Sequence, residues 1–177
     1  MATTRVISVV GKKNAGKTTL VVALADAFTR RGRKVATIKH GHHPALVDRE
    51  GTDTWRHFTE GKAERVLIDA PGQRVLFERT AADGEPLALV RRFMRDMDIV
   101  LIEGFKAHPL PKIEVHRISQ HPAPLYERDG PEAHLWVAIM TDDPDFRAPV
   151  PVFHFSDTSW LVTLSALAWK HAAVLDD

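Results

Sequence analysis

Gly11-Lys12-Lys13-Asn14-Ala15-Gly16-Lys17-Thr18 is the segment whose residue types and spacing most clearly imply chemistry. It matches G-x-x-x-x-G-K-[ST], a pattern in which glycines let the backbone curl until several N–H groups face one anion. Gly11, Asn14, Ala15 and Gly16 would supply that backbone cradle. Lys17 would reach the outer phosphates of a nucleotide, and the Thr18 hydroxyl would ligate Mg²⁺. Lys12 stands directly after the first glycine. That is the place of a signature lysine that stabilises charge on a partner subunit's nucleotide in some dimeric ATPases and GTPases; a solvated loop lysine is the plainer reading.

Phosphate-loop chemistry also needs an acid at the end of a neighbouring strand. Glu103 fits, since it follows Ile99-Val100-Leu101-Ile102 and precedes Gly104. The usual residue there is Asp, so the longer arm either holds the metal or positions a water. The histidines of KHGHH, His40, His42 and His43, either bind a metal such as Ni²⁺ or Zn²⁺ or are structural or phosphate-facing. With Asp48 and Asp53 downstream, this stretch resembles a switch segment that senses the γ-phosphate and its Mg²⁺, which makes Asp48 a second candidate metal-side acid. Lys39 and Lys106 are further candidate anion contacts.

The elements that must position these residues follow from periodicity. Residues 5–10 (RVISVV) form a short β-branched run that ends at a glycine, which predicts a buried strand. Leu20, Val21, Leu24 and Phe28 recur at helical spacing after the loop, and residues 34–39 read as a second strand. Strand, crossover helix and strand are the unit of a parallel sheet. The run 98–103 predicts a central strand buried on both faces; 65–69, 74–78, 112–116, 135–140 and 152–155 predict further strands. Pro71-Gly72 predicts a hairpin and an antiparallel edge. Helices are expected over 53–61, 87–97 and 158–172, the last capped by Ser156 or Asp157, while 122–130 is expected to be a mobile loop. The fold class is α/β: a phosphate-loop NTPase-like, mostly parallel twisted sheet flanked by helices, with an antiparallel edge or hairpin, in a single domain over residues 1–177.

Composition narrows the field. The chain has 24 Lys and Arg against 23 Asp and Glu, so its net charge of +1 creates no global attraction for nucleic acid. The absence of cysteine excludes disulfides, thiolate metal sites and thiol nucleophiles. No apolar run approaches the roughly 20 residues needed to span a bilayer, and the opening residues lead into the glycine loop rather than a cleavage site, so a cytoplasmic location is the default expectation.

Taken in order, GKKNAGKTT, IKHGHH, the D-x-x-G-x-D-x-x-R of residues 48–56, LIEGFK and PKIEVHR resemble the molybdopterin-guanine dinucleotide biosynthesis adaptor protein B family from residue 5 to about 142. The resemblance implies a dimeric GTP- and Mg²⁺-binding protein with weak GTPase activity that assists the nucleotidyltransferase attaching GMP to molybdopterin. Carried over by position, Gly11, Gly16, Lys17, Thr18 and Thr19 correspond to the nucleotide loop, and Asp48, Glu103 and Lys106 to the other motifs. Many members have an aromatic or small residue at the place of Lys12, so its cross-dimer role is not part of what the resemblance implies. No N-K-x-D motif is present to read guanine; Asp142, after Ile139-Met140-Thr141, would either accept from the base or cap a strand end. A nickel metallochaperone GTPase, a non-enzymatic adaptor and a phosphate-loop small-molecule kinase are the competing functions.

Overall fold

The computed structural model describes residues 3–41, 48–81 and 84–176. The chain divides into two compact units, residues 1–40 with 85–177, and residues 41–84.

The larger unit is built on β1 (Thr4–Val10), α1 (Lys17–Thr29) and β2 (Val35–Lys39), followed after the smaller unit by α3 (Pro86–Phe93) and β5 (Ile99–Glu103). β6 (Lys112–His116), β7 (Trp136–Thr141), β8 (Val152–His154), α4 (Trp160–His171) and β9 (Ala173–Leu175) complete it. The sheet order is β2-β5-β1-β6-β7-β8, all parallel, with β9 antiparallel to β1. Every residue of β5 is buried, as expected of a parallel strand covered on both faces. On one face Leu20, Leu24 and Phe28 of α1 and Leu164 and Ala168 of α4 pack against Ile7, Leu101 and Val115; on the other, Val90 of α3 packs with Val6, Val100 and Ile102.

The smaller unit holds α2 (Asp53–Thr59) and the antiparallel pair β3 (Arg65–Ala70) and β4 (Gln73–Glu78). Thr52 caps α2, its hydroxyl accepting from the Trp55 N–H. Phe77 packs against Phe58 at a ring separation of 6.1 Å, so the hairpin is covered on the face that carries Phe77.

Several elements differ from the sequence reading. The Pro-Gly hairpin forms, but as a two-stranded sheet of its own rather than an edge of the parallel sheet. The antiparallel strand that joins that sheet is β9, a three-residue AVL stretch directly after a helix. α3 stops at Phe93 because Met94 leaves the helical region at φ −139°. α4 begins later than expected: Ser159 is its N-cap, and Asp157 instead accepts from the Ser159 N–H and Oγ–H in a tight turn.

Candidate functional site

The glycine loop joins β1 to α1 at the carboxyl edge of the sheet, the edge at which open α/β sheets bind ligands. Gly11 has φ +151°, and a Cβ there would lie 2.3 Å from the Val115 carbonyl oxygen, so only glycine lets the loop run this close to β6. Asn14 (φ 61°) and Gly16 (φ 103°) adopt left-handed conformations that bend the backbone round. α1 begins at Lys17 with no side-chain cap and no acid in its first turn. Its leading N–H groups and its positive dipole end therefore face the loop, which suits an anion.

β1, β5 and β2 end in register, with Val9 opposite Glu103 and Lys39 opposite Glu103. Glu103 is thereby placed beside the loop. The Thr18 hydroxyl lies 2.9 Å from both Glu103 carboxylate oxygens, and Lys39 Nζ lies 3.5 Å from Oε1. A hydroxyl and a carboxylate held this closely form a hard oxygen donor set of the kind that takes Mg²⁺. Lys17 Nζ donates to the Lys12 carbonyl at 2.8 Å. Burial pushes the Lys17 pKa below its ordinary value; Glu103 pulls it back up, and the charges of Lys39 and Lys106 push it down further. An anion at the loop would relieve that crowding of positive charge.

The structure brings Gly11, Asn14, Ala15, Gly16, Lys17, Thr18 and Glu103 together around one loop, with Thr19 in the first turn of α1. Lys12 lies on the loop but donates to the Ala123 carbonyl at 2.8 Å. Asp142 stands at the end of β7, where its oxygens accept from the Ile118 N–H at 2.8 Å and the Ser119 hydroxyl at 3.4 Å. That is the geometry of a turn cap. Asp48 belongs to the smaller unit, where it accepts from the Thr54 hydroxyl and the Arg49 N–H, bonds that lower its pKa with the Thr54 contact foremost. His40 stacks on Phe105 at 4.3 Å and donates its backbone N–H to the Glu103 carbonyl. His42 and His43 lie outside the described residues, and among the described residues no three or more His, Asp or Glu side chains cluster so as to hold a metal ion.

Two features were not singled out from sequence. Arg117, the last residue of PKIEVHR, donates from Nε to the Ala15 carbonyl at 3.1 Å and lies over the Phe155 ring, so it braces the loop from behind. Lys112, Glu114 and His116 form a buried polar row along β6. Lys112 Nζ donates to the Lys106 and His108 carbonyls and to Glu132; Glu114 accepts from the Leu125 and Tyr126 N–H groups; His116 meets Thr141 and the His121 carbonyl. This row fastens the segment expected to be a mobile loop. Burial raises the Glu114 pKa, and the two backbone N–H bonds oppose it.

Sheet order, glycine cradle and acid partner define a phosphate-loop NTPase-like protein. The chain belongs to the MobB family: residues 6–142 match the family described as molybdopterin guanine dinucleotide synthesis protein B. It is 35% identical over 142 residues to the molybdopterin-guanine dinucleotide biosynthesis adapter protein of Haemophilus influenzae, covering 78% of this chain and 75% of that one. It is 32% identical over 161 residues to the probable adapter protein of Bacillus subtilis, covering 86% of each. Among solved structures, the fold is similar to the MobB homologue of Bacillus stearothermophilus, with TM-score 0.65, 23% identity and coverage of 93% of this chain and 98% of that one. It is similar also to Bacillus subtilis MobB, with TM-score 0.66, 23% identity and coverage of 92% and 97%. Among the described residues, no helix is long and apolar enough to cross a membrane.

Proposed function

We propose that this protein binds GTP with Mg²⁺, hydrolyses it slowly, and acts as an adaptor to the nucleotidyltransferase that attaches GMP to molybdopterin. The observation that carries the reading is the Thr18 hydroxyl within 2.9 Å of both Glu103 oxygens, directly beside an uncapped helix start. Gly11, Asn14, Ala15 and Gly16 would hold the phosphates through their backbone. Lys17 would exchange its bond to the Lys12 carbonyl for one to the outer phosphates. Thr18 and Glu103 would hold Mg²⁺, which when bound neutralises charge on the phosphates. Turnover is expected to be slow because Arg117, the arginine that touches the loop, is committed to the Ala15 carbonyl and to Phe155. The family membership and the names of its relatives support the adaptor role, and the guanine dinucleotide in those names favours GTP over ATP; a homodimer as the working form rests on the motif resemblance alone.

Calorimetric titration of Mg·GTP and Mg·ATP against the protein and against Lys17→Ala tests this. GTP binding that is lost in the variant is the expected result. Preference for ATP would overturn the GTP assignment in favour of a kinase-like function, and binding of neither would leave a partner-dependent adaptor without a nucleotide of its own.

A further inference from the structure

A loop N–H faces an anion only if the carbonyl of the same peptide unit faces away, because a trans peptide holds the two on opposite sides. Each loop carbonyl held outward therefore aims the N–H of the next residue inward. The glycine loop divides in just this way. The N–H groups of Lys13, Asn14, Gly16 and Lys17 make no hydrogen bond among the described residues, while the carbonyls immediately before them, those of Lys12, Lys13, Ala15 and Gly16, each accept one. Backbone N–H groups rarely go without a partner, so this set points to a ligand.

Two of the four carbonyls are held from within the loop and α1. Lys12 accepts from the Ala15 N–H at 3.3 Å and from Lys17 Nζ at 2.8 Å, and Gly16 accepts from the Leu20 N–H at 3.1 Å. The other two are held by the turn that follows β6. Arg117 Nε donates to the Ala15 carbonyl at 3.1 Å, and His121 Nε2 lies 3.2 Å from the Lys13 carbonyl. A carbonyl only accepts, so that His121 nitrogen carries the hydrogen. Both donors are themselves fixed. The Arg117 guanidinium lies 4.2 Å over the Phe155 ring with Asp142 Oδ2 at 3.8 Å. The His121 N–H donates to the Arg117 carbonyl at 2.9 Å, which closes the turn, and the His121 carbonyl accepts from Nε2 of buried His116 at 2.9 Å. His116 Nδ1 in turn meets the Thr141 hydroxyl on β7 at 3.1 Å.

We propose that Arg117 and His121 are positioning residues for the phosphate loop, Arg117 aiming the Gly16 N–H and His121 the Asn14 N–H at the bound phosphate. Each acts through the carbonyl it holds. The proposal rests on the reading of the loop as a phosphate site, and it adds that the turn after β6, not the loop alone, sets the loop's affinity.

Calorimetric titration with Mg·GTP and with Mg·pyrophosphate, which has no base, tests this, with the backbone amide resonances of Asn14 and Gly16 followed in the same titrations. His121→Ala is expected to weaken both ligands about three- to tenfold, and Arg117→Ala about tenfold or more. His121→Gln, whose amide NH₂ donates from the same place, should restore most of the affinity. Gln120→Ala, an exposed position on the same turn, should leave it unchanged. A general loss of packing would not produce the residue-specific signature: pyrophosphate should cease to shift the Asn14 amide in His121→Ala while still shifting Gly16, and the reverse should hold in Arg117→Ala. His121 is only half-buried, so its variants report even if Arg117→Ala folds poorly. Undiminished affinity in both alanine variants, no rescue by glutamine, or loss of both amide responses in each variant overturns the proposal. Pyrophosphate binding that follows this pattern without GTP binding supports it and overturns the GTP assignment instead; binding of neither ligand by the wild type overturns both.

Discussion

The parallel sheet and the β3–β4 hairpin are both made of aliphatic-rich strands, yet they bury them very differently. All five residues of β5 are buried, whereas β3 and β4 together bury only Val66. The reason is coverage. β5 has strands on both sides and helices on both faces, so continuous apolar sequence is stable there. The hairpin's other face carries Leu67 opposite Leu76, 62% and 45% exposed, between the ion pairs Arg65–Glu78 and Asp69–Arg74. Placement of chemistry follows the same division: Glu103, Lys39 and Arg117, which flank the glycine loop, stand at or just beyond the ends of strands that cannot shift without disturbing a packed core.

Truncating the core should show the largest contrast. Leu101→Ala is expected to cost about 2–5 kcal/mol in denaturant unfolding, while Leu67→Ser costs about 0.5 kcal/mol or less. Equal losses would mean that the hairpin's open face is covered in solution. Next comes Gly11→Ala, expected to destabilise by about 1–3 kcal/mol through the clash with the Val115 carbonyl. Gly72→Ala at the hairpin turn meets nothing within 4 Å, so its cost is limited to the strain of φ +82°, about 1 kcal/mol. Thermal melts of the two alanine variants rank them.

Glu114 sharpens the comparison through pH. Its folded pKa lies above its unfolded value because burial opposes the charged form, so its ionisation costs stability at neutral pH. As pH falls through the folded pKa towards the ordinary value of 4.5, that cost is relieved and the wild type should gain stability relative to Glu114→Gln. Unfolding free energies of the two proteins across that range check the sign; parallel curves would refute it. The smallest effect is expected on the hairpin. Arg65→Ala should change stability by about 0–1 kcal/mol, and high salt should remove most of the difference, since Arg65 is largely exposed.

Much of the fold was legible because the physics is local. Residues 5–10 are β-branched and end at a glycine, and α1 repeats its apolar side chains at helical spacing. The Thr18 and Glu103 ends of the candidate site were readable for the same reason, one from motif spacing and the other from its position after four aliphatics. The polar row of β6 was not legible. K-I-E-V-H alternates, and alternation reads as one dry and one wet face; burial of Lys112, Glu114 and His116 depends on the 117–133 segment returning to bond them, which no local pattern announces. Arg117 was missed for a related reason, since its partner Ala15 lies far away in sequence. β9 is too short for periodicity, and its identity as a strand comes from residues 4–6 of β1, which β6 leaves unpaired because it reaches only residues 8–10.

That last pairing bears on how the molecule is made. β1 is flanked by β5, β6 and β9, all synthesised long after it. At about 5–20 residues per second, its apolar run leaves the ribosome on the order of ten seconds before β5 arrives to cover it. The strand that ends in the phosphate loop is thus without its sheet neighbours while the chain is being made, and the loop gains its Glu103 and Val115 neighbours only once β5 and β6 have been translated.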